Sequence, residues 1–566
     1  MSDALEQASL IMVPSGYENG TLGSLKPTDG TGDFTFSRGS DISATRVNEQ
    51  GYIEKGYENL LLNSNLFDNG GIPPTIWSTI NTSVVSGQSG YDGSSDAYLL
   101  SNNSTGGYLR QVISVSGVNT FSVYVKAGNS NWVALLGVGA GAIYFDLQNG
   151  VSGIGATINS IEPIGNDGWY RCSITTSVSI SQFRIYAADG DQSTSASSSV
   201  YIQDAMLNQG LVAYPYVETT TAPVAGGILE DMPRLDYSDS SCPALLLEPQ
   251  RTNLVPSSEY LSSIPWNSNT LTFSWDTSLL NLEGYYGVQK VVGIGTAVYN
   301  NIASGVNTGE KLCYSIWAKS SSNANFKFGG LYGGENATFD VSTGNLVAQG
   351  IQLDSYEVIE YGNGWRRYII VINYSGAGGN KAYGHIEWND ASQPVYLYGF
   401  QLEQDATYPT SYIPTYGTSQ TRLAEDLELP SLSSVFDSSG DYTCFFEVGR
   451  LSSSSEAQFL YIRSAVFNYI TLNAGTKLQV SLYDGIGTTS GLSIDDFIVG
   501  TTAKAAVKVE GSTSSIFING EKIKTSNVVP RNFDRYQKNI NHLKYQEVYF
   551  PTALSDDECI ALTTIS

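Results

Sequence analysis

Two histidines, His385 and His542, are the whole imidazole inventory of this chain. Neither adjoins a GxSxG elbow, and His385 sits in the alternating run KAYGHIEW, so both read as structural or surface residues rather than triad members. Gly137-Val138-Gly139-Ala140-Gly141-Ala142 mimics a dinucleotide loop, but the IYFDL that follows is a strand pattern. Without a helix N-terminus for the phosphates, the stretch reads as a glycine-rich turn. The 54 Asp and Glu residues offer no pair that spacing singles out for glycoside hydrolysis. Asp189-Gly190-Asp191 carries the oxygen ligands Ca²⁺ takes but lacks the full EF-hand spacing, and reads as a turn. These readings predict no catalytic residue and no cofactor.

The aromatic residues suggest different chemistry. The chain has 37 Tyr, 20 Phe and 8 Trp. An exposed ring face can stack against the C–H face of a sugar, whereas a buried ring fills a core. An internal repeat helps to separate the two. FSVYVKAG at 121–128 answers YSIWAKSS at 314–321, both with the period of two of a half-buried strand. Phe145-Asp146 answers Phe339-Asp340, Gly168-Trp169-Tyr170-Arg171 answers Gly364-Trp365-Arg366-Arg367, Val200-Tyr201 answers Val395-Tyr396, and Tyr214-Pro215 answers Tyr408-Pro409. Lys126 to Trp169 spans 43 residues and Lys319 to Trp365 spans 46. Upstream, ENLLLNSNLF resembles QRTNLVPSSEYL. Aromatics present in both copies, Trp169/Trp365 and Phe145/Phe339, are expected to determine the fold. The unmatched Trp132, Tyr332 and Trp388 are the candidate ligand contacts.

The elements that position these residues are strands. Asn149-Gly150, Asp167-Gly168, Asp189-Gly190 and Asn363-Gly364 are turn signals between short β-prone runs, and sustained helical periodicity is absent. The expected fold is all-β: two tandem jelly-roll sandwiches, 59–220 and 253–416, followed by a third sandwich at 433–566. That last region carries the type I′ signal Asn519-Gly520 and a closing helix capped by Ser555 with Glu558, and is expected to fold alone. Residues 1–58 read as an attachment arm, and 221–252 and 417–432 as linkers. Thr45-Arg46, Pro233-Arg234 and Thr421-Arg422 each precede a polar or acidic stretch, and read as docking elbows between domains.

Composition narrows the partners. Against the 54 acids stand 29 Lys and Arg, a net charge of −25 that repels phosphate backbones and argues against nucleic acid. No apolar stretch approaches the ~18 residues of a membrane span, and the run Leu10 to Val13 is too short for a signal core. Five scattered cysteines without a CxxC suggest neither a disulfide framework nor a zinc site, and are expected to be reduced.

DFTFSRGSDISATRVNEQGYIE, PRLDYSDSSCPALLLEPQRTNL and the Gly-Trp-Tyr-Arg strand resemble bacteriophage virion proteins of the tail-fibre, appendage, head-fibre or decoration type. The modules resemble carbohydrate-binding jelly rolls. The order strand–INGE–strand followed by EVYFPTALSDDECIAL is similar to concanavalin A-like, laminin G-like lectin domains. The resemblance implies a non-enzymatic virion protein that docks other virion proteins through residues 1–58. It implies a homo-oligomer, with a trimer favoured, whose outer tip is the C-terminal sandwich and which contacts host surface polysaccharide. A purely structural decoration or tail component is the alternative, and a tailspike depolymerase a more distant one. Lectin-like sandwiches often hold Ca²⁺, and no residue is assigned to such an ion.

Overall fold

The computed structural model describes residues 5–18, 21–40, 42–68, 76–155, 157–238, 241–263, 266–268, 270–429, 431–450, 457–464, 468–474, 476–498, 501–537 and 542–565. The architecture is all-β, with sheets packed as sandwiches. The first module has two six-stranded antiparallel sheets. One runs in the order 158–164, 169–176, 119–127, 199–209, 97–102, 82–88, and the other 151–152, 141–146, 132–137, 180–188, 108–115, 77–80. Alternation sets the layers: Phe121, Val123 and Val125 face Val133, Leu135, Ile143, Phe145, Phe183 and Ile185 in a sealed core.

The second module repeats this wiring strand for strand. Strand 311–319 lies between 366–373 and 381–404, as 119–127 lies between 169–176 and 199–209. Registers correspond: Tyr124 opposes Arg171, and Trp317 opposes Arg367. Both copies share a bulge, after Ser122 and after Ser315, where Asp204 and Gly399 take positive φ. A buried polar staple recurs as well. The Asn59 amide donates to the carbonyls of Ala205 and Val217 while its oxygen accepts from the amides of Leu61 and Leu207. Asn253 makes the same four bonds with Phe400, Ile413, Val255 and Leu402. One difference is that strands 286–304 and 381–404 of the second copy each run through both layers, where the first copy breaks into two strands.

The C-terminal sandwich differs from the expected self-contained domain. Its larger sheet runs 426–428, 34–37, 21–26, 10–18, 542–550, 442–449, 502–510, 513–518, 521–526. Residues 1–58 are therefore no free arm: Leu10, Met12, Leu22, Phe34 and Phe36 are buried in one core with Phe446, Ile470, Val507 and Tyr549. The stretches expected as linkers are also built in. Strand 244–247 pairs with the start of 542–550, 426–428 pairs with 34–37, 224–227 pairs with 53–59, and 251–253 pairs with 420–422. Arm and last domain thus belong to one body and cannot mark its inner and outer ends. The Asn519-Gly520 turn joins Ile518 to Glu521 with positive φ at both residues, and the Ser555–Glu558 capping box opens helix 556–563.

Two buried charge networks join the bodies. Arg234 makes a bidentate pair with Glu425, Nε to Oε1 at 2.5 Å and Nη2 to Oε2 at 2.6 Å. It also reaches Glu248 at 2.8 Å, which pairs Arg422 at 3.0 Å, while Arg38 reaches Glu425 at 3.2 Å. Burial alone would raise the Glu248 carboxyl, but Arg422 and Arg234 hold it down to about 2. Of the three expected elbow arginines, Arg234 and Arg422 sit in this network. Arg46 instead pairs Glu54 at 2.8 Å in a half-buried position. In the second network Lys55 is enclosed by Glu259 and Glu283, to which Tyr214, Tyr398 and Tyr412 donate. Burial opposes the Lys55 charge, yet the two carboxylates raise its pKa.

Candidate aromatic binding face

The outer face of the first module's second sheet carries a row of rings. On strand 132–137, Ala134 pairs with Tyr144 on one side and Tyr186 on the other. Tyr186 meets Tyr108 of the next strand, with ring centroids 5.2 Å apart. Trp132, two residues before Ala134, lies on the same face because side chains alternate along a strand. Trp132, Tyr144, Tyr186 and Tyr108 are each half-buried, whereas Ala134 is sealed beneath them. Two strand spacings separate the Tyr144 and Tyr186 backbones by roughly 10 Å. The short Ala134 side chain between them leaves a trough floored by a methyl and walled by rings.

Arginines border this trough. The Arg184 guanidinium lies 4.3 Å over the Tyr108 ring and donates to the Tyr186 hydroxyl at 3.1 Å. Its Nε donates to Gln182 Oε1 at 3.2 Å, and Arg110 donates to the same oxygen at 3.2 Å. Neither arginine is in an ion pair among the described residues. Tyr144 is raised above the usual phenol value by burial, by Tyr186 and by Asp191, which lies at the far rim. Asp191 accepts the Ile154 amide at 3.1 Å. Among the described residues no group of His, Cys, Asp and Glu is arranged to hold a metal.

The second copy tests whether these rings serve the fold. The shared register places Asn325, Thr338, Glu387 and Thr296 where the first copy has Trp132, Tyr144, Tyr186 and Tyr108. It places His385 and Val298 at the positions of Arg184 and Arg110. The same wiring stands without the aromatic face, so the fold does not require it. Burial, with Lys327 nearby, lowers His385 to about 4 and leaves it neutral.

The sequence-expected residues fall in different places. Trp132 belongs to the face just described. Tyr332 is 44% exposed in the second module, edge-on to Tyr383 at 5.0 Å, away from that row. Trp388 is a correction: it is fully buried, and its indole donates to the Gln393 carbonyl at 2.9 Å. It lacks a match because the core is repacked, the Val133–Ala187 pair of the first copy being Phe326–Trp388 in the second. Phe145 and Phe339 fill the two cores. Trp169 and Trp365 are buried on the outer face of the other sheet, beside Tyr124 and Trp317 respectively. Gly137 to Ala142 forms a hairpin turn between strands 132–137 and 141–146, and Asp189-Gly190-Asp191 is a turn closed by Ser193. The side chain of His542 lies outside the described residues. Four cysteines are buried and Cys242 is exposed.

Tyr108, Tyr144, Tyr186, Arg110 and Arg184 were not singled out from sequence. Each sits next to a core position on its strand, and a strand-by-strand comparison of the repeats would have marked them as unmatched.

No family model and no curated protein matches the chain. Solved structures give remote likenesses. The tandem CBM22 domains of Paenibacillus barcinonensis Xyn10C share 12% identity, covering 61% of this chain and 98% of that one, with a TM-score of 0.22. The Ruminococcus gnavus sialidase CBM40 bound to α2,3-sialyllactose shares 15%, covering 24% and 86%, with a TM-score of 0.20. A tail fibre protein from an E. coli phage shares 8%, covering 54% and 40%, with a TM-score of 0.18.

Proposed function

We propose that this chain is a non-catalytic, glycan-binding component of a bacteriophage virion, a tail- or head-attached fibre or appendage that holds host surface polysaccharide on the aromatic face of its first module. The observation that carries the binding part is the contrast between the copies: Trp132, Tyr144, Tyr186 and Tyr108 stand where the second copy has Asn325, Thr338, Glu387 and Thr296 on the same strands. Half-buried rings around a small residue suit weak stacking on sugar faces. Display in several copies on a particle, with a trimer as the favoured unit, raises such weak binding by ~10²–10⁴. The virion part rests on the sequence phrases at 33–60 and 233–254. A purely structural role is the second reading. The buried networks around Arg234 and Lys55 favour it, because they fasten modules and C-terminal sandwich into one body.

Binding of the full-length protein to an array of purified bacterial surface polysaccharides tests the first reading. Retention of at least one polysaccharide without release of reducing ends is expected. Absence of binding even when the protein is clustered on beads leaves the structural role. Release of reducing ends would instead make it a depolymerase. Labelled antibody on intact particles tests the virion part, which fails if particles carry none of the protein.

A further inference from the structure

We infer that the glycan held at this face is anionic, its charge supplied by carboxylate or sulfate groups that the Arg110–Arg184 pair receives. The inference rests on the glycan-binding reading of the same face. Arg110 and Arg184 are directly opposed across neighbouring strands. Like charges in that position repel and weaken a sheet. They are not neutralised from within: the acceptors they share or use are the neutral Gln182 amide oxygen and the Tyr186 hydroxyl. The buried Arg110 Nε has no hydrogen-bond partner among the described residues. Two arginines without a carboxylate are conspicuous in a chain of net charge −25.

Neither nearby acid forms an ion pair with them among the described residues. Asp146 is committed to its own turn, accepting from the Gln148 and Asn149 amides, and Asp191 accepts from Ile154. The second copy has Val298 and a neutral, buried His385 at the two positions, and the cation its face does carry, Lys327 at the place of Ala134, is paired with Glu387 at 3.4 Å, so the unpaired arginines are specific to the first copy. An arginine fork matches planar anions better than any other side chain. The rings would take the sugar faces and the two guanidiniums the substituent beside them. Distant acids of the chain matter less, since charges beyond about 8 Å are screened at physiological salt.

The test uses the full-length protein and two pairs of probes: polygalacturonate against its carboxyl-reduced form, and dextran sulfate against dextran. The charged member of at least one pair should bind at least about tenfold more tightly, a preference that fades with added salt. Which pair responds distinguishes carboxylate from sulfate. Arg110→Gln with Arg184→Gln should abolish the preference at unchanged Tm. Arg110→Gln alone, which gives up one hydrogen bond, should reduce it if the double variant folds poorly. Equal binding of charged and neutral members, with Tyr144→Ala and Tyr186→Ala still abolishing both, would overturn the anionic assignment and leave the glycan-binding reading intact. A preference that survives both arginine variants would also overturn it. Binding to none of the four probes or the arrayed polysaccharides would remove both readings.

Discussion

Asp204 occupies the first module's bulge at φ 52°, hydrogen-bonded by Tyr91 at 2.9 Å. Burial, with Asp96 and Asp92 nearby, pushes its carboxyl from 3.8 up to about 6, against the lowering bonds from Tyr91 and Tyr216. The folded state therefore holds this proton more tightly than the unfolded chain does. Ionisation costs the fold nothing below about pH 4, progressively more through pH 4–6, and a constant amount above. Asp204→Asn removes that cost and keeps a residue type that tolerates positive φ. Thermal unfolding should show a raised Tm at pH 7.5 and no change at pH 4; equal shifts at both would contradict the assignment. Trp365, 3% exposed, packs with Trp317, Tyr398 and Tyr412. Trp365→Ala should cost about 3–5 kcal/mol in denaturant unfolding; a cost under about 1 kcal/mol would mean the ring is not held as described. At this scale sequence reading separated core from surface incompletely. Trp169, Trp365, Phe145 and Phe339 are buried while the equally matched Tyr201 and Tyr396 are half-buried, and an unmatched aromatic such as Trp388 can arise from core repacking as well as from a binding role. Sequence cannot tell these apart without knowing which face of the strand is inward.

The strands explain why the repeat was legible. Period-two alternation and Asn-Gly or Asp-Gly turns mark each element locally, and the shared register preserved the order of motifs in both copies. What joins the elements was less visible. A four-residue strand such as FTFS has the right alternation, with Phe34 and Phe36 inward, but it is too short to declare its partner at 426–428, with Glu428 393 residues beyond Thr35. The arginine dipeptides recur ahead of polar or acidic stretches, and burial sorts them. Arg234, fully enclosed by Glu425 and Glu248, should behave differently from Arg46, whose pair with Glu54 is partly in water. Arg234→Ala takes one of its two arginine partners from each of two buried carboxylates, Glu248 keeping Arg422 and Glu425 keeping Arg38, and should cost about 3–5 kcal/mol, whereas Arg46→Ala should cost less than about 1 kcal/mol. Equal effects of the two in urea unfolding would contradict the buried network.

At the scale of the whole molecule, chain order and spatial order part company. Strands from the first forty residues and from 244–247 complete the sheet of the last domain. A fragment 433–566 loses Leu10, Met12, Leu22, Phe34 and Phe36 from its core. It should bind a hydrophobic dye and unfold without a cooperative transition. A cooperatively folded 433–566 fragment would mean that those strands are dispensable. Composition and turns indicated sandwiches, but the closing of the last sandwich by distant strands depends on long-range pairing that no local pattern encodes.

We propose that the chain holds one fold in two copies and a binding face on the first alone. The most direct measurement is the affinity of the full-length protein for whichever arrayed polysaccharide it retains, compared between Tyr144→Ala/Tyr186→Ala and Thr338→Ala/Glu387→Ala at the matching positions of the second copy. Losing two stacking rings should weaken binding about tenfold to a hundredfold, with Tm preserved, while the second-copy variant binds as the parent does. Unchanged affinity in the first variant, or equal losses in both, would rule out a binding face confined to the first copy.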